Sequence, residues 1–120
     1  SQLAAGRAEE LAEIAVEGVV VTQVDGLAPG DMRELAVAVR QREGIKVVVL
    51  IGETDTGGVA LVAAVQPGNT KPASLLIKDA AKAVGGGGGG KGDIATAGGK
   101  DPSGIPTALG IAAEAVGQVL

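Results

Sequence analysis

Ile45-Lys46-Val47-Val48-Val49-Leu50-Ile51, then Gly52-Glu53-Thr54-Asp55-Thr56-Gly57-Gly58, then Val59-Ala60-Leu61-Val62-Ala63-Ala64-Val65: the fold turns on how this stretch is read. Its two outer segments are nearly unbroken Val, Leu, Ile and Ala. Strands that face water on one side alternate, whereas strands covered on both faces do not. The middle segment is polar, rich in turn residues and too short for a crossover helix. The two apolar segments therefore pair as a hairpin.

Working upstream, Glu17 to Val24 holds the β-branched run Val19-Val20-Val21-Thr22 and reads as the first strand. Asp25-Gly26 turns the chain, and Pro29 suits the first turn of a helix. Met32, Leu35, Ala36 and Val39 fall at i, i+3, i+4 and i+7, giving that helix one apolar face, and Gly44 ends it. A helix between two strands of one sheet makes them parallel with a right-handed connection, so the sheet is mixed. Residues 2 to 16 read as a further helix, Ala-rich, with Leu3, Leu11 and Ile14 on its apolar side.

Downstream, Pro67 to Pro72 is a loop and Ser74 is placed to cap a helix running to Val84. Its apolar side includes Leu75, Leu76 and Val84, and its polar side Lys78, Asp79 and Lys82. Six glycines follow, Gly85 to Gly90, and then Ile94 to Ala97 as a short fourth strand. A last helix starts between Pro102 and Pro106 and runs through Leu109, Ala112, Ala113 and Val116. The expected fold is a single α/β domain: a mixed three- to four-stranded sheet covered by helices and preceded by an N-terminal helix. Residues 1–16 are the end of a connecting helix and 17–120 the globular domain.

Composition narrows the chemistry. Among 120 residues, 46% are apolar, yet Phe, Tyr and Trp are absent. There is no Cys and no His, which excludes thiol catalysis, disulfides, His-based acid–base work and almost all zinc sites. No nucleophile–base pair or convergent carboxylate set appears, so neither catalysis nor a cofactor is expected. No apolar run reaches the roughly 18 residues of a membrane span, and no signal pattern opens the chain, so a cytoplasmic location is expected. The net charge of −4 is uneven. Residues 1 to 60 hold ten acids and five bases, whereas residues 61 to 120 hold four acids and five lysines. The glycines lie in the less acidic half, among Lys78, Lys82, Lys91 and Lys100.

A run of glycines cannot build a core, because it has no side chains and loses the most freedom on ordering. The run Gly85-Gly86-Gly87-Gly88-Gly89-Gly90-Lys91 formally contains GxxxxGK and GxGxxG. A phosphate loop needs a strand before it, a helix after it and a Ser or Thr for magnesium; here a helix precedes, a strand follows and Gly92 replaces the hydroxyl. Two readings stay open. The run is a backbone cradle that turns N–H groups toward an anion, with Lys91 at its rim, or a surface loop with no ligand. Gly98-Gly99-Lys100-Asp101 reads as a tight turn before the last helix, with Asp101 or Ser103 as its cap. Glu53 and Asp55 read as part of a solvated turn.

The order Lys78 to Val84, the six glycines, then Lys91-Gly92-Asp93-Ile94-Ala95-Thr96-Ala97-Gly98-Gly99-Lys100-Asp101-Pro102 resembles the DHH-associated C-terminal (C-Ala) domain of alanyl-tRNA synthetases. That family has a Lys-bearing helix, a glycine run, Arg-Pro-Asp, a short apolar stretch and Gly-Gly. The resemblance is specific there and looser upstream to residue 17. It implies a non-catalytic tRNA-binding module that grips the outer corner of tRNA, alanine tRNA above all, and couples the aminoacylation and editing domains. The nucleic-acid-binding residues it implies are Lys78, Lys82, Gly85, Gly86, Gly87, Gly88, Gly89, Gly90, Lys91 and Lys100. This chain has Lys91-Gly92 for Arg-Pro, which removes a bidentate phosphate fork.

Two other readings belong to the same residues. The family also supplies the substrate-gripping half of DHH-type phosphoesterases, which place His in or beside the glycines. The third is a structural module docking its synthetase partners, or a second copy as a homodimer, through the first helix, where Ala4, Ala8 and Ala15 allow close packing.

Overall fold

In the computed structural model, which describes residues 2–67, 72–89 and 92–119, the quoted stretch is the hairpin it promises. Strands β2 (Val47–Glu53) and β3 (Val59–Val65) run antiparallel, with Val47 opposite Val65 and Glu53 opposite Val59. All of β3 and all of β2 except Glu53 are buried, as an unalternating apolar run requires. Strand β1 (Val19–Gln23) lies parallel to β2, and helix α2 (Pro29–Arg40) is the crossover between them.

Side chains of β2 and β3 divide by parity into two cores. Val47, Val49, Ile51, Leu61, Ala63 and Val65 pack beneath helices α3 (Ser74–Ala83) and α4 (Ile105–Val119). Val48, Leu50, Ala60, Val62 and Ala64 pack on the other face against α2, with Met32, Leu35, Ala36 and Val39 as its buried stripe. Helix α1 (Gln2–Glu13) adds Ala8 and Leu11 to this second core. Arg42 reaches Glu9 at 4.0 Å, an exposed pair that contributes little. The result is helices on both faces of one mixed sheet, with small residues allowing close layers. At Gly52 the approach is so close that a Cβ would lie 1.7 Å from the Val24 carbonyl oxygen.

Among the described residues the sheet has five strands rather than three or four, in the order β1-β2-β3-β5-β4. Strand β5 (Ile94–Gly99) is longer than Ile94 to Ala97, and β4 (Gly87–Gly89) is built from the glycine run itself. Helix α3 also departs from its reading. Ser74 makes no cap; Ala73 is the N-cap residue and no side chain caps it. Leu75 is 42% exposed, and the buried face is Leu76, Ile77, Ala80 and Ala81. The helix is rotated relative to the expected apolar side because Ile77, not Leu75, completes an i, i+1, i+4, i+5 stripe. At the last helix, a 3₁₀ turn (Pro102–Gly104) precedes α4, and the Asp101 carboxylate accepts from the Ser103 N–H at 3.1 Å. In α4, Ile105, Ala108, Ala112 and Val116 are buried while Ala113 is exposed.

Candidate nucleic-acid interface

The glycine run begins as a helix end. The Gly85 N–H donates to the Lys82 carbonyl at 3.1 Å, and the Gly86 N–H donates to the Ala81 carbonyl at 2.9 Å. With φ of +70° at Gly85, these are the two bonds of a Schellman motif closing α3. Gly85 therefore has a structural duty that needs no ligand. The signal was a glycine directly after the last apolar residue of a helix, Val84.

Beyond Gly86 the chain becomes strand β4 at the edge of the sheet, where a loop was expected. Gly87 faces Gly98, Gly88 faces Ala97 and Gly89 faces Thr96 across an antiparallel ladder. The glycines are not equivalent. A Cβ at Gly86 would lie 1.7 Å from the Gly98 oxygen, and one at Gly88 2.7 Å from the Ala97 Cα. A Cβ at Gly87 would meet nothing within 4 Å. Two glycines thus let β4 lie close on β5, and Gly87 faces open space. Among the described residues, β4 has no neighbouring strand on its outer side. An edge strand keeps unpaired backbone groups for a partner, and here no described side chain of the strand stands in front of them.

Two of the expected lysines lie on α3, the helix that leads into this edge, and a third, Lys100, directly follows β5. Lys78 and Lys82 are exposed on α3 one turn apart, and Lys82 pairs with Asp79 at 3.6 Å, both exposed. That pair is weak enough to exchange for a phosphate. Lys82 also lies in the last turn of α3, where a cation offsets the helix dipole without any ligand. Lys100 is drawn to the same corner by backbone: its N–H and that of Asp101 both donate to the Val84 carbonyl, at 2.8 and 2.9 Å. Gly99 and Gly104 permit this, since Cβ atoms there would lie 2.5 Å from Val84 and 2.0 Å from the Ala83 oxygen. Gly90 and Lys91 lie outside the described residues.

The far end of the strand is pinned by contacts that sequence reading missed. The Asp93 carboxylate accepts from Arg40 Nη1 at 3.1 Å, and the same nitrogen donates to the Val65 carbonyl at 3.2 Å. The Gly92 carbonyl accepts from the Ala73 N–H at 2.9 Å. No spacing rule links residues 40 and 93, so only the fold discloses the pair. Among the described residues no three acidic side chains converge as a metal set, and no helix is long and apolar enough to cross a membrane.

The chain is thus a mixed sheet between two helical layers, ending in a glycine edge strand beside a Lys-bearing helix. Residues 17–118 match the model of the DHHA1 domain, and the chain belongs to that family. It is 40% identical over 125 residues to the alanine–tRNA ligase of Anaeromyxobacter dehalogenans, covering 100% of this chain and 14% of that protein. Identity to the enzyme of Chlorobaculum tepidum is 40% over 106 residues, 85% of this chain and 12% of that one. The chain thus spans a small part of the curated relatives it matches. The C-Ala domain of Aquifex aeolicus alanyl-tRNA synthetase is similar in structure, with a TM-score of 0.70 at 28% identity, covering 81% of this chain and 88% of that domain. RecJ of Thermus thermophilus shares the fold, with a TM-score of 0.67 at 17% identity over 96% of this chain and 18% of that one.

Proposed function

We propose that this domain is a non-catalytic tRNA-binding module of an alanyl-tRNA synthetase. It grips the outer corner of tRNA and couples the aminoacylation and editing domains, with the segment 1–16, which carries α1 (Gln2–Glu13), as its connection to them. The observation that carries this is the glycine edge strand whose outer side is open between Lys82 and Lys100. A polyanion approaches such an edge without displacing side chains, and its phosphates meet backbone donors and mobile ammonium groups. With no aromatic residue in the chain, bases have nothing to stack on. Recognition therefore rests on phosphate positions and the shape of the folded RNA. The similarity to alanine–tRNA ligases supports alanine tRNA as the ligand.

The test is binding of an alanine tRNA transcript as a function of salt. Each phosphate contact adds roughly 0.7 to 0.9 to the slope of log K against log salt, so Lys78, Lys82 and Lys100 together give about −2 to −3. Lys82→Ala should flatten the slope by about one unit; Lys91→Ala tests the cation at the end of the run in the same way. Gly87→Val places a branched side chain on the open side and should weaken binding while the fold survives. Parent-like binding by Lys82→Ala, Lys100→Ala and Gly87→Val alike would place the RNA elsewhere. Incubated with alanine, ATP and tRNA, or with short oligonucleotides and magnesium, the pure chain should turn nothing over.

A further inference from the structure

The α2 face of the sheet is covered unevenly. Helix α2 packs on β2 and β3, while β5 continues past it with Thr96 exposed. Between the start of α2 and this uncovered part lies an open groove of about 230 Å³. Its floor is Ala60, Leu61 and Val62 of β3 with Thr96 and Ala97 of β5, and its wall is Pro29, Gly30 and Arg33 of α2. Arg33 is the groove's single charged residue; Asp31 and Glu34 are on α2 but do not line it. Among the described residues, no ion pair or hydrogen bond engages the Arg33 guanidinium. The groove also leads to the candidate interface, because Thr96 on its floor is the ladder partner of Gly89 in β4.

We propose that this groove is a second RNA contact, in which Arg33 binds a backbone phosphate of the same tRNA that lies along the glycine edge. This rests on the tRNA-binding reading above and extends it from the edge of the sheet onto its open face. The occupant follows from chemistry. A groove with one unpaired guanidinium, one hydroxyl and an apolar floor suits a nucleotide: the fork takes the phosphate, Thr96 meets a ribose hydroxyl and the floor takes the sugar's apolar side. A lysine at Arg33 would keep the charge and lose the fork.

Three variants of the chain, each checked for an unchanged melting temperature, test this with the alanine tRNA transcript as probe. Arg33→Ala should weaken binding about tenfold at low salt, as for the loss of one charge-assisted contact, and flatten the salt slope by about one unit. Arg33→Lys should restore the slope but not the full affinity. Thr96→Leu, which fills the groove and changes no charge, should weaken binding with the slope unchanged. Combining Arg33→Ala with Lys82→Ala should flatten the slope by about two units if the sites are independent. Arg33→Ala and Thr96→Leu proteins that bind as the parent does, while Lys82→Ala weakens binding, would overturn the groove and leave the tRNA module standing. The reverse pattern, loss with Arg33→Ala and none with the lysine and Gly87 variants, would keep the groove and overturn the glycine-edge reading. A groove that serves a protein partner instead would show as unchanged tRNA binding in all three variants, which also overturns the proposal.

Discussion

Gly52 and Gly87 are both strand glycines, and they make opposite demands on a substituted side chain. A Cβ at position 52 would lie 1.7 Å from the Val24 oxygen and 3.0 Å from Asp25 Oδ1. Gly52→Ala should therefore destabilise the fold by about 3 kcal/mol or more through forced separation of β1 and β2, read as a lower denaturation midpoint at constant m. Gly87→Val meets nothing within 4 Å and should change stability by less than about 0.5 kcal/mol, whereas Gly88→Val drives into Ala97 and should not fold as the parent does. A midpoint for Gly52→Ala equal to that of Gly87→Val would refute the contrast. The sequence did not disclose these demands: Gly52 read as part of a turn and Gly88 as either ligand cradle or plain surface loop, because the atom each one must avoid belongs to a distant residue. Asp25 makes a further residue-scale case. The Gln23 side-chain amide and the Glu53 N–H both donate to its carboxylate and hold its pKa below the ordinary value. A group depressed in the folded state stabilises above its unfolded pKa and loses that contribution as pH falls through the folded one. Asp25→Asn should thus lessen the fall in stability below about pH 4. A carboxyl titration midpoint for Asp25 at or above that of an unstructured Asp would remove the basis for this.

Elements differ in how much of them a sequence displays. Strands β2 and β3 were plain because seven consecutive apolar residues in β3, and nearly as many in β2, leave no polar face to misassign. The parallel β1–α2–β2 unit was plain as well, since Pro29 and the stripe from Met32 to Val39 mark the crossover. Strand β4 was invisible. Periodicity needs side chains, and three glycines have none. Helix α3 was found but rotated, because Leu75, Leu76 and Ile77 are adjacent and apolar alike, and only the packed partner selects two of them. Hydrogen exchange tests these assignments at their own scale. Amides of β2 and β3 should exchange only with global unfolding, as both strands are interior. The Gly86 and Lys100 amides, bonded to Ala81 and Val84, should be protected to an intermediate degree even without RNA. Free-chain exchange at Gly86 would mean the glycine edge forms only on its ligand.

At the scale of the whole molecule, side chains tie the end of α2 to the sheet and to the turn beyond the glycine run. Arg40, at the end of α2 and only 12% exposed, donates to the Val65 carbonyl at the end of β3 and to Asp93 in the turn that follows the glycine run. Nearby, Gln66 Nε2 donates to the Arg40 carbonyl at 3.0 Å and to the Ile45 carbonyl at 2.7 Å. The backbone repeats the tie, since the Val65 N–H donates to the Asp93 carbonyl at 2.8 Å. Removing Arg40 strands two acceptors, one of them a charge 40% exposed, and hydrogen bonds to charged groups contribute about 1.5 to 3 kcal/mol. Arg40→Ala should therefore cost about 2 kcal/mol. Asp93→Asn should cost less, because the amide still accepts and the site is more open to water. A double-mutant cycle should give a coupling of about 0.5 kcal/mol or more; additivity would show that the pair does not act as one unit. The same variants separate positioning from contact. Asp93 is itself anionic and touches no phosphate in the proposed complex, but it fixes the turn at the exit of the glycine edge. Asp93→Asn should accordingly lower tRNA affinity at every salt concentration and leave the salt slope as it is, whereas loss of a contacting lysine flattens the slope. A steeper slope and tighter binding in Asp93→Asn would instead mean that its charge repels the RNA, and that the edge is held in place without it.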